Sequence, residues 1–265
     1  MEAVRDFWNA RPCNIRHGTA EVGTREYFDQ VEHRKYFVEP HIPPFAEFDK
    51  WAGRSVLEIG TGIGTDTINF LRAGADLTSI DLSDESVKVA KKRAEVFGFD
   101  PDRITVANAE EFNFNKKFDL IYSFGVIHHT PDPKAVIERC AAHQDPGQEL
   151  RIMLYSKVSY KLFWAMHTEN RWDLSKMNDT IREFAEAQTG CPVAYTYTFD
   201  EVRELLSPWY DVTEIRKDHI FKWDVSKYIQ HEYEIDPAWK GVPESDFRAL
   251  EKELGWHTLV KAVKK

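Results

Sequence analysis

The segment Glu58-Ile59-Gly60-Thr61-Gly62-Ile63-Gly64 sets three glycines at alternate positions directly behind a short apolar run. Glycine lets a chain turn tightly and lets a ligand lie against bare backbone. The next residues read as a helix, so the amides of its first turn face the same crevice. A dinucleotide loop is spaced G-x-G-x-x-G. Here the third glycine comes one residue early, and Thr65 stands where it should be. Glu58 points the same way, because a carboxylate repels a pyrophosphate and favours a cationic ligand. The spacing therefore argues against an NAD-dependent oxidoreductase.

Three further positions carry chemistry. Asp81 closes the run LTSID, where a carboxylate at the rim of a sheet can accept both hydroxyls of a ribose. It can instead cap the following helix, but Ser83 fills that role better. Asn108-Ala109-Glu110 ends a third apolar run and can hydrogen-bond an adenine edge, or form an ordinary strand-to-helix turn. His128 and His129 follow the run FDLIYSFG. Adjacent side chains point apart and no third ligand stands at a recognisable spacing, so no metal site is expected there. A histidine titrates near neutral pH, and a positioned base contributes ~10²–10⁴-fold to a rate. The competing reading is one histidine against a ligand and the other capping the next turn.

The elements that must hold these residues alternate. SVLEIG (55–60), LTSID (77–81), RITVAN (103–108), FDLIYSFG (118–125) and ELRIMLYS (149–156) read as strands, with helical stretches DTINFLRAGA, 83–98 and PKAVIERCAAH between them. Ser83 is the N-cap and Gly98 the stop of the second of these. Alternation predicts an α/β fold: a doubly wound, mostly parallel sheet with helices on both faces. DVTEIRKD (211–218) and WHTLVKAVKK (256–265) add two strands, the C-terminal one antiparallel, and TFDEVRELL opens on a capping box of Thr198 with Glu201. Residues 1–48 read as an N-terminal helical arm over the site, with a helix near 24–37 stopped by Pro40, Pro43 and Pro44. Residues 49–265 form the main domain, with lid insertions at about 157–197 and 219–255, the latter carrying two more helices.

Composition narrows the partners. A net charge of −9 and no dense basic block beyond the KKR at 91–93 disfavour a nucleic acid. Cys13, Cys140 and Cys191 are far apart, odd in number and form no zinc spacing, as in a reduced cytoplasmic protein. No apolar signal core or membrane-spanning run is present.

The series ExGxGxG, an acid ending the second strand, a polar pair after the third, and FDLIYSFGVIHHTPDP resembles the class I S-adenosylmethionine-dependent methyltransferases over about residues 54–157. GVIHHTPDP is similar to their small-molecule "type 11" branch, which includes quinone-ring and natural-product enzymes. The resemblance implies a Rossmann-like sheet, S-adenosylmethionine as cofactor and in-line methyl transfer to an O, N, C or S atom of a small-molecule acceptor. By position it implies that Gly60, Thr61, Gly62 and Gly64 hold the methionine end, and Glu58, just before the loop, is counted with the cofactor-binding residues. Asp81 with Leu82 holds the ribose, and Asn108, Ala109 and Glu110 the adenine. Phe124 and Val126 flank the sulfonium. The family more often has Asp where Asn108 stands. Because enzymes with many acceptors share the histidine pair, the resemblance favours His128 and His129 as a wall beside the cofactor, with His129 the candidate base. It also brings Tyr27 over the cofactor. A protein or RNA methyltransferase and a non-catalytic cofactor binder are the alternatives; an amino-methylating enzyme would show (D/N)PP(Y/F) where this chain has GVIH.

Acceptor contacts are expected from two regions. One is Phe7, Trp8, Tyr27, Tyr36 and RPCNIRHG (11–18), whose Arg11, Arg16 and His17 suit a carboxylate or phosphate. The other is Tyr155, Phe163, Trp164, Met166, His167 and Trp172. Aromatics surround planar or cationic ligands, but they more commonly pack a core. His219 is a further candidate.

Overall fold

A computed structural model describes residues 1–169, 172–184 and 190–265. Parts of the expected insertion at 157–197, residues 170–171 and 185–189, lie outside these. Among the described residues, seven strands form one sheet: β1 (Ser55–Ile59), β2 (Asp76–Asp81), β3 (Ile104–Val106), β4 (Leu120–Phe124), β5 (Glu149–Tyr155), β6 (Tyr210–Asp218) and β7 (His257–Lys264). Their order is β3-β2-β1-β4-β5-β7-β6. β1 to β5 are mutually parallel, and β7 runs antiparallel to both β5 and β6. The doubly wound fold is thus as expected. Strand order reverses between β1 and β4, and the carboxyl ends of these strands open the crevice where such sheets bind ligands.

The helices are α1 (Glu2–Ala10), α2 (Arg25–Val38), α3 (Ile42–Ala46), α4 (Thr65–Arg72), α5 (Asp84–Phe97), α6 (Pro133–Ala142), α7 (Tyr160–Thr168), α8 (Met177–Phe184), α9 (Phe199–Leu206), α10 (Val225–Tyr228) and α11 (Glu244–Leu254). Caps set their ends. Thr24 accepts from the Tyr27 amide, Ser83 from the Ser86 amide, and Thr198 and Glu201 close a full capping box. Gly98, in the left-handed conformation, ends α5.

Two apolar layers sandwich the sheet. One gathers Phe45, Phe70, Ile68, Val87 and Tyr122, and the other Ile121, Ile137, Leu150, Val202 and Val260. Two buried arginines fix the N-terminal segment to this core. Arg93 of α5 donates to Thr65 Oγ1 (2.7 Å), the Phe28 carbonyl (3.2 Å) and Glu32 (3.0 Å), tying α2 to α4 and α5. Arg151 of β5 donates to the carbonyls of Phe45 (2.7 Å) and Ala46 (3.0 Å) and pairs with Glu149 (2.8 Å). A cation at the C-terminus of α3 is favoured by the helix dipole, and its pairing offsets the desolvation cost. Among the described residues, no helix is long and apolar enough to cross a membrane.

Candidate active site

A cavity of about 280 Å³ opens at the carboxyl edge of the sheet, close to the lower end of the ~300–1,000 Å³ usual for small-molecule sites. Its lining follows the strand order. Asn108 and Ala109 follow β3, Asp81 and Leu82 end β2, and Gly60, Thr61 and Gly62 follow β1. Phe124 ends β4 and Val126 follows it, Met153 and Tyr155 come from β5, and His257 from β7. Met1, Val4 and Trp8 of the N-terminal segment line it too, as do Cys13 and Asn14 of the next loop.

The glycine loop turns at Gly60 (φ 92°), Gly62 (φ 52°) and Gly64 (φ 80°). At Gly60 a Cβ would lie 2.0 Å from Val126 Cγ2, so the loop can pass under β4 only as glycine. At Gly62 no atom lies within 4 Å of that position, and bare backbone faces the cavity. Gly64 does not line the cavity; it caps α4 and lets it approach α5, where a Cβ would meet Ala90 at 3.2 Å. Asp81 accepts from the amides of Gly62 and Ser83, both at 2.8 Å. Each carboxylate oxygen keeps a second acceptor position. Burial raises this carboxyl to about 6.

Several residues sit elsewhere than the sequence led us to expect. Glu58 is buried behind the loop, accepting from Thr67 Oγ1 (2.6 Å) and Ser79 Oγ (2.7 Å), and does not line the cavity. Burial, reinforced by the Asp66 charge, pushes it up to about 8. Glu110 faces away as well, accepting from the Asp132 amide at 2.8 Å. Tyr27 is fully buried with Phe28, Val31 and Ile63, and its hydroxyl donates to the Ile15 carbonyl at 2.7 Å. It pins the loop 11–18 rather than reaching the cavity, and burial raises its phenol to about 12. Of that loop, Arg11, Arg16 and His17 are not in the lining. His17 instead meets the Tyr228 hydroxyl (3.1 Å), and burial lowers it to about 3. Phe163 and Trp172 are exposed and away from the cavity.

The histidine pair divides. His129 lines the cavity, with its ring edge-on to Trp8 at 5.4 Å. Its Nδ1 donates to the Val193 carbonyl at 2.8 Å, which assigns the proton to that nitrogen and makes Nε2 the acceptor. His128 is fully buried against Tyr155, centroids 3.8 Å apart, and lies outside the lining. Neither of its ring nitrogens has a hydrogen-bond partner among the described residues, and burial holds it well below the usual histidine range.

Sequence reasoning missed Lys35, Glu39 and His257. Lys35 and Glu39 sit one turn apart at the end of α2 and at its C-cap, and His257 opens β7. All three line the cavity. Lys35 pairs with Asp66 at 2.8 Å, and Asp66 also accepts from Tyr36 and Tyr122, both at 3.0 Å. The i, i+4 spacing of Lys35 and Glu39 was the available signal; the partner side of the cavity was not.

A family profile described as "Methyltransferase domain" matches residues 57–148, the stretch from β1 to the start of β5 that carries the glycine loop, Asp81 and the histidine pair. This stretch is similar to a methyltransferase domain. Relatives agree with it. A ubiquinone biosynthesis O-methyltransferase of Actinobacillus pleuropneumoniae serotype 5b is 36% identical over 116 residues, 42% of this chain and 48% of the relative. One from Azoarcus sp. is 30% identical over 146 residues, 51% of this chain and 61% of the relative. The chain spans about half the length of the curated relatives it matches. The fold of the chain is similar to magnesium protoporphyrin IX methyltransferase from Synechocystis PCC 6803, solved with bound SAH (TM-score 0.63, 15% identity, 100% of this chain and 99% of that one). It is also similar to a putative methyltransferase in complex with the Haloferax volcanii Trm112 activator (TM-score 0.59, 18% identity, 98% and 96%).

Proposed function

We propose that this protein binds S-adenosylmethionine at the glycine loop and transfers its methyl group to a small-molecule acceptor. The observation that carries the reading is the ordered lining of one cavity: a polar edge after β3, a carboxylate ending β2, bare backbone after β1 and an aromatic ending β4. Asn108 and Ala109 take the adenine, and Asp81 accepts the ribose hydroxyls. The Gly60–Gly62 backbone carries the methionine end, with Phe124 and Val126 beside the sulfonium. These residues fit the cofactor because the Asp81 oxygens retain acceptor capacity and Gly62 faces open space. The bound cofactor supplies an electrophilic methyl carbon with a neutral leaving group. The chain's own task is to hold the acceptor in line with the S–CH₃ bond and keep water out, an alignment worth ~7–11 kcal/mol. His129 and Trp8 form the wall. A net charge of −9 and a cavity partly covered by α1 favour a small acceptor over nucleic acid. Cytoplasmic residence accords with three free cysteines.

Calorimetric titration with S-adenosylmethionine tests the binding half. The wild type is expected to bind one equivalent, and Asp81→Ala to lose more than tenfold in affinity. An unchanged affinity in that variant removes the ribose assignment.

A further inference from the structure

At the end of the cavity away from Asp81, three side chains from distant parts of the chain converge. Glu39 is the C-cap of α2, His41 precedes α3, and His257 is the first residue of β7. One ligand atom from each lies within 4.8 Å of the others. His41 Nε2 and His257 Nδ1 are 2.9 Å apart, and Glu39 Oε1 is 3.8 Å from His257 Nδ1. Four-coordinate zinc, with bonds of ~2.0–2.2 Å to N and O, needs ligand atoms ~3.3–3.5 Å apart. The two separations at His257, 2.9 and 3.8 Å, bracket that value, and all three ligand atoms lie within 4.8 Å of one another.

We propose that Glu39, His41 and His257 form a binding site for a divalent transition-metal ion, zinc foremost, with an open coordination position toward the cavity. Two imidazoles and one carboxylate are a donor set for zinc and its borderline neighbours rather than for magnesium or calcium. Three protein ligands leave one position for a ligand, and Glu39 and His257 both line the cavity. Outer contacts orient the rings. His41 Nδ1 faces Asp218 Oδ1 at 4.0 Å, on the side opposite its Nε2, and the His219 ring stacks on His257 with centroids 4.6 Å apart. A carboxylate behind a ligating histidine is the usual way its tautomer is fixed. The nearby cations are already matched: Lys35 by Asp66, Arg216 by Glu214 and Asp218, and Arg248 by Glu244 and Glu251. Arg151 holds the far end of α3 to β5, which fixes the segment that carries His41.

The ion's use rests on the methyl-transfer reading; its binding does not. Three strand spacings of ~4.8 Å, ~14 Å in all, separate β1 from β7, which puts the ion at the acceptor end. An acceptor hydroxyl in the open position would release its proton to solvent more readily. Its oxygen then forms the O–CH₃ bond while the S–CH₃ bond breaks, and that electron pair leaves on the neutral thioether.

The test uses the full chain, stripped with a chelator and titrated with cobalt(II) while its visible d–d absorption is followed, with zinc competition and metal counting by mass spectrometry. One ion per chain is expected. His257→Gln should abolish uptake and Glu39→Gln weaken it by at least ~tenfold, with thermal unfolding checked for both. A wild type that takes up neither metal overturns the site, as does uptake unchanged in both variants. His41 and His257 would then be a hydrogen-bonded packing pair. Calorimetry with S-adenosylmethionine on the same samples separates the claims. Metal uptake without cofactor binding keeps this site and sinks the methyl-transfer reading, and the reverse result sinks only the site.

Discussion

Glu58 and His129 show how burial decides what a side chain next to a ligand loop can do. Glu58 keeps its proton up to about pH 8 when folded, against an ordinary value of 4.5. The folded state therefore holds the proton more tightly, and stability is lost as pH rises from 4.5 through about 8. Glu58→Gln removes the group that must ionise in the core. Its stability should fall less than the wild type's between about pH 4.5 and 8, by on the order of a few kcal/mol, read as a smaller drop in melting temperature. Parallel curves would place the charge elsewhere. His129 has its Nδ1 proton committed to Val193 and its ring against Trp8. His129→Ala should lower cofactor affinity and turnover together. A ~10²–10⁴-fold loss of turnover at unchanged affinity would make it the base instead. At this scale the sequence pointed to Gly60, Gly62, Asp81 and His129, which line the cavity because they lie at the carboxyl ends of strands; it expected His128 in the same wall, whereas His128 is buried outside the lining. It misplaced Glu58 and Tyr27. Each lies beside a residue that faces the cavity or its loop, and local order does not say which neighbour turns inward.

Among the elements around the cavity, α1 is held lightly. Only Val4 of its residues is buried. It is anchored by Asn9 Oδ1, which accepts from Ser83 Oγ at 2.7 Å and from the Glu85 amide at 3.3 Å. Yet Val4 and Trp8 line the cavity. Removing residues 1–10 should leave the far-UV circular dichroism of the remaining fold unchanged and weaken S-adenosylmethionine binding roughly ten- to a hundredfold, since one fully buried apolar contact is worth ~1.5–3 kcal/mol. Loss of the sheet signal would show α1 to be structural. Strand and helix periodicity located the other elements well: the helix expected at 24–37 is Arg25–Val38, and the run 118–125 is Leu120–Phe124. The third strand, expected over 103–108, is only Ile104–Val106. It is the sheet edge, Arg103 ends a 3₁₀ turn, and Val106 is exposed. An apolar run does not reveal where its partner stops.

The molecule as a whole is organised by where β7 enters the sheet. Inserted antiparallel between β5 and β6, it brings its first residue, His257, to the same edge as the carboxyl ends of β1, β2 and β4. That single topological choice carries a residue near the end of the chain to within hydrogen-bonding reach of His41. No spacing in the sequence encodes the meeting of 39, 41 and 257, which is why this cluster was invisible there while the glycine loop, all within seven residues, was plain. The cavity so lined joins the proposed cofactor strip to a histidine-rich end beside the N-terminal segment.

The central claim is methyl transfer to a small molecule, and one experiment addresses it directly. Purified protein is incubated with methyl-labelled S-adenosylmethionine and a whole-cell extract, which is then separated by size. The account predicts label in the small-metabolite fraction, dependent on the protein and lost in Asp81→Ala. Label confined to protein or RNA would contradict the acceptor class, and no transferred label in any fraction would contradict the activity itself.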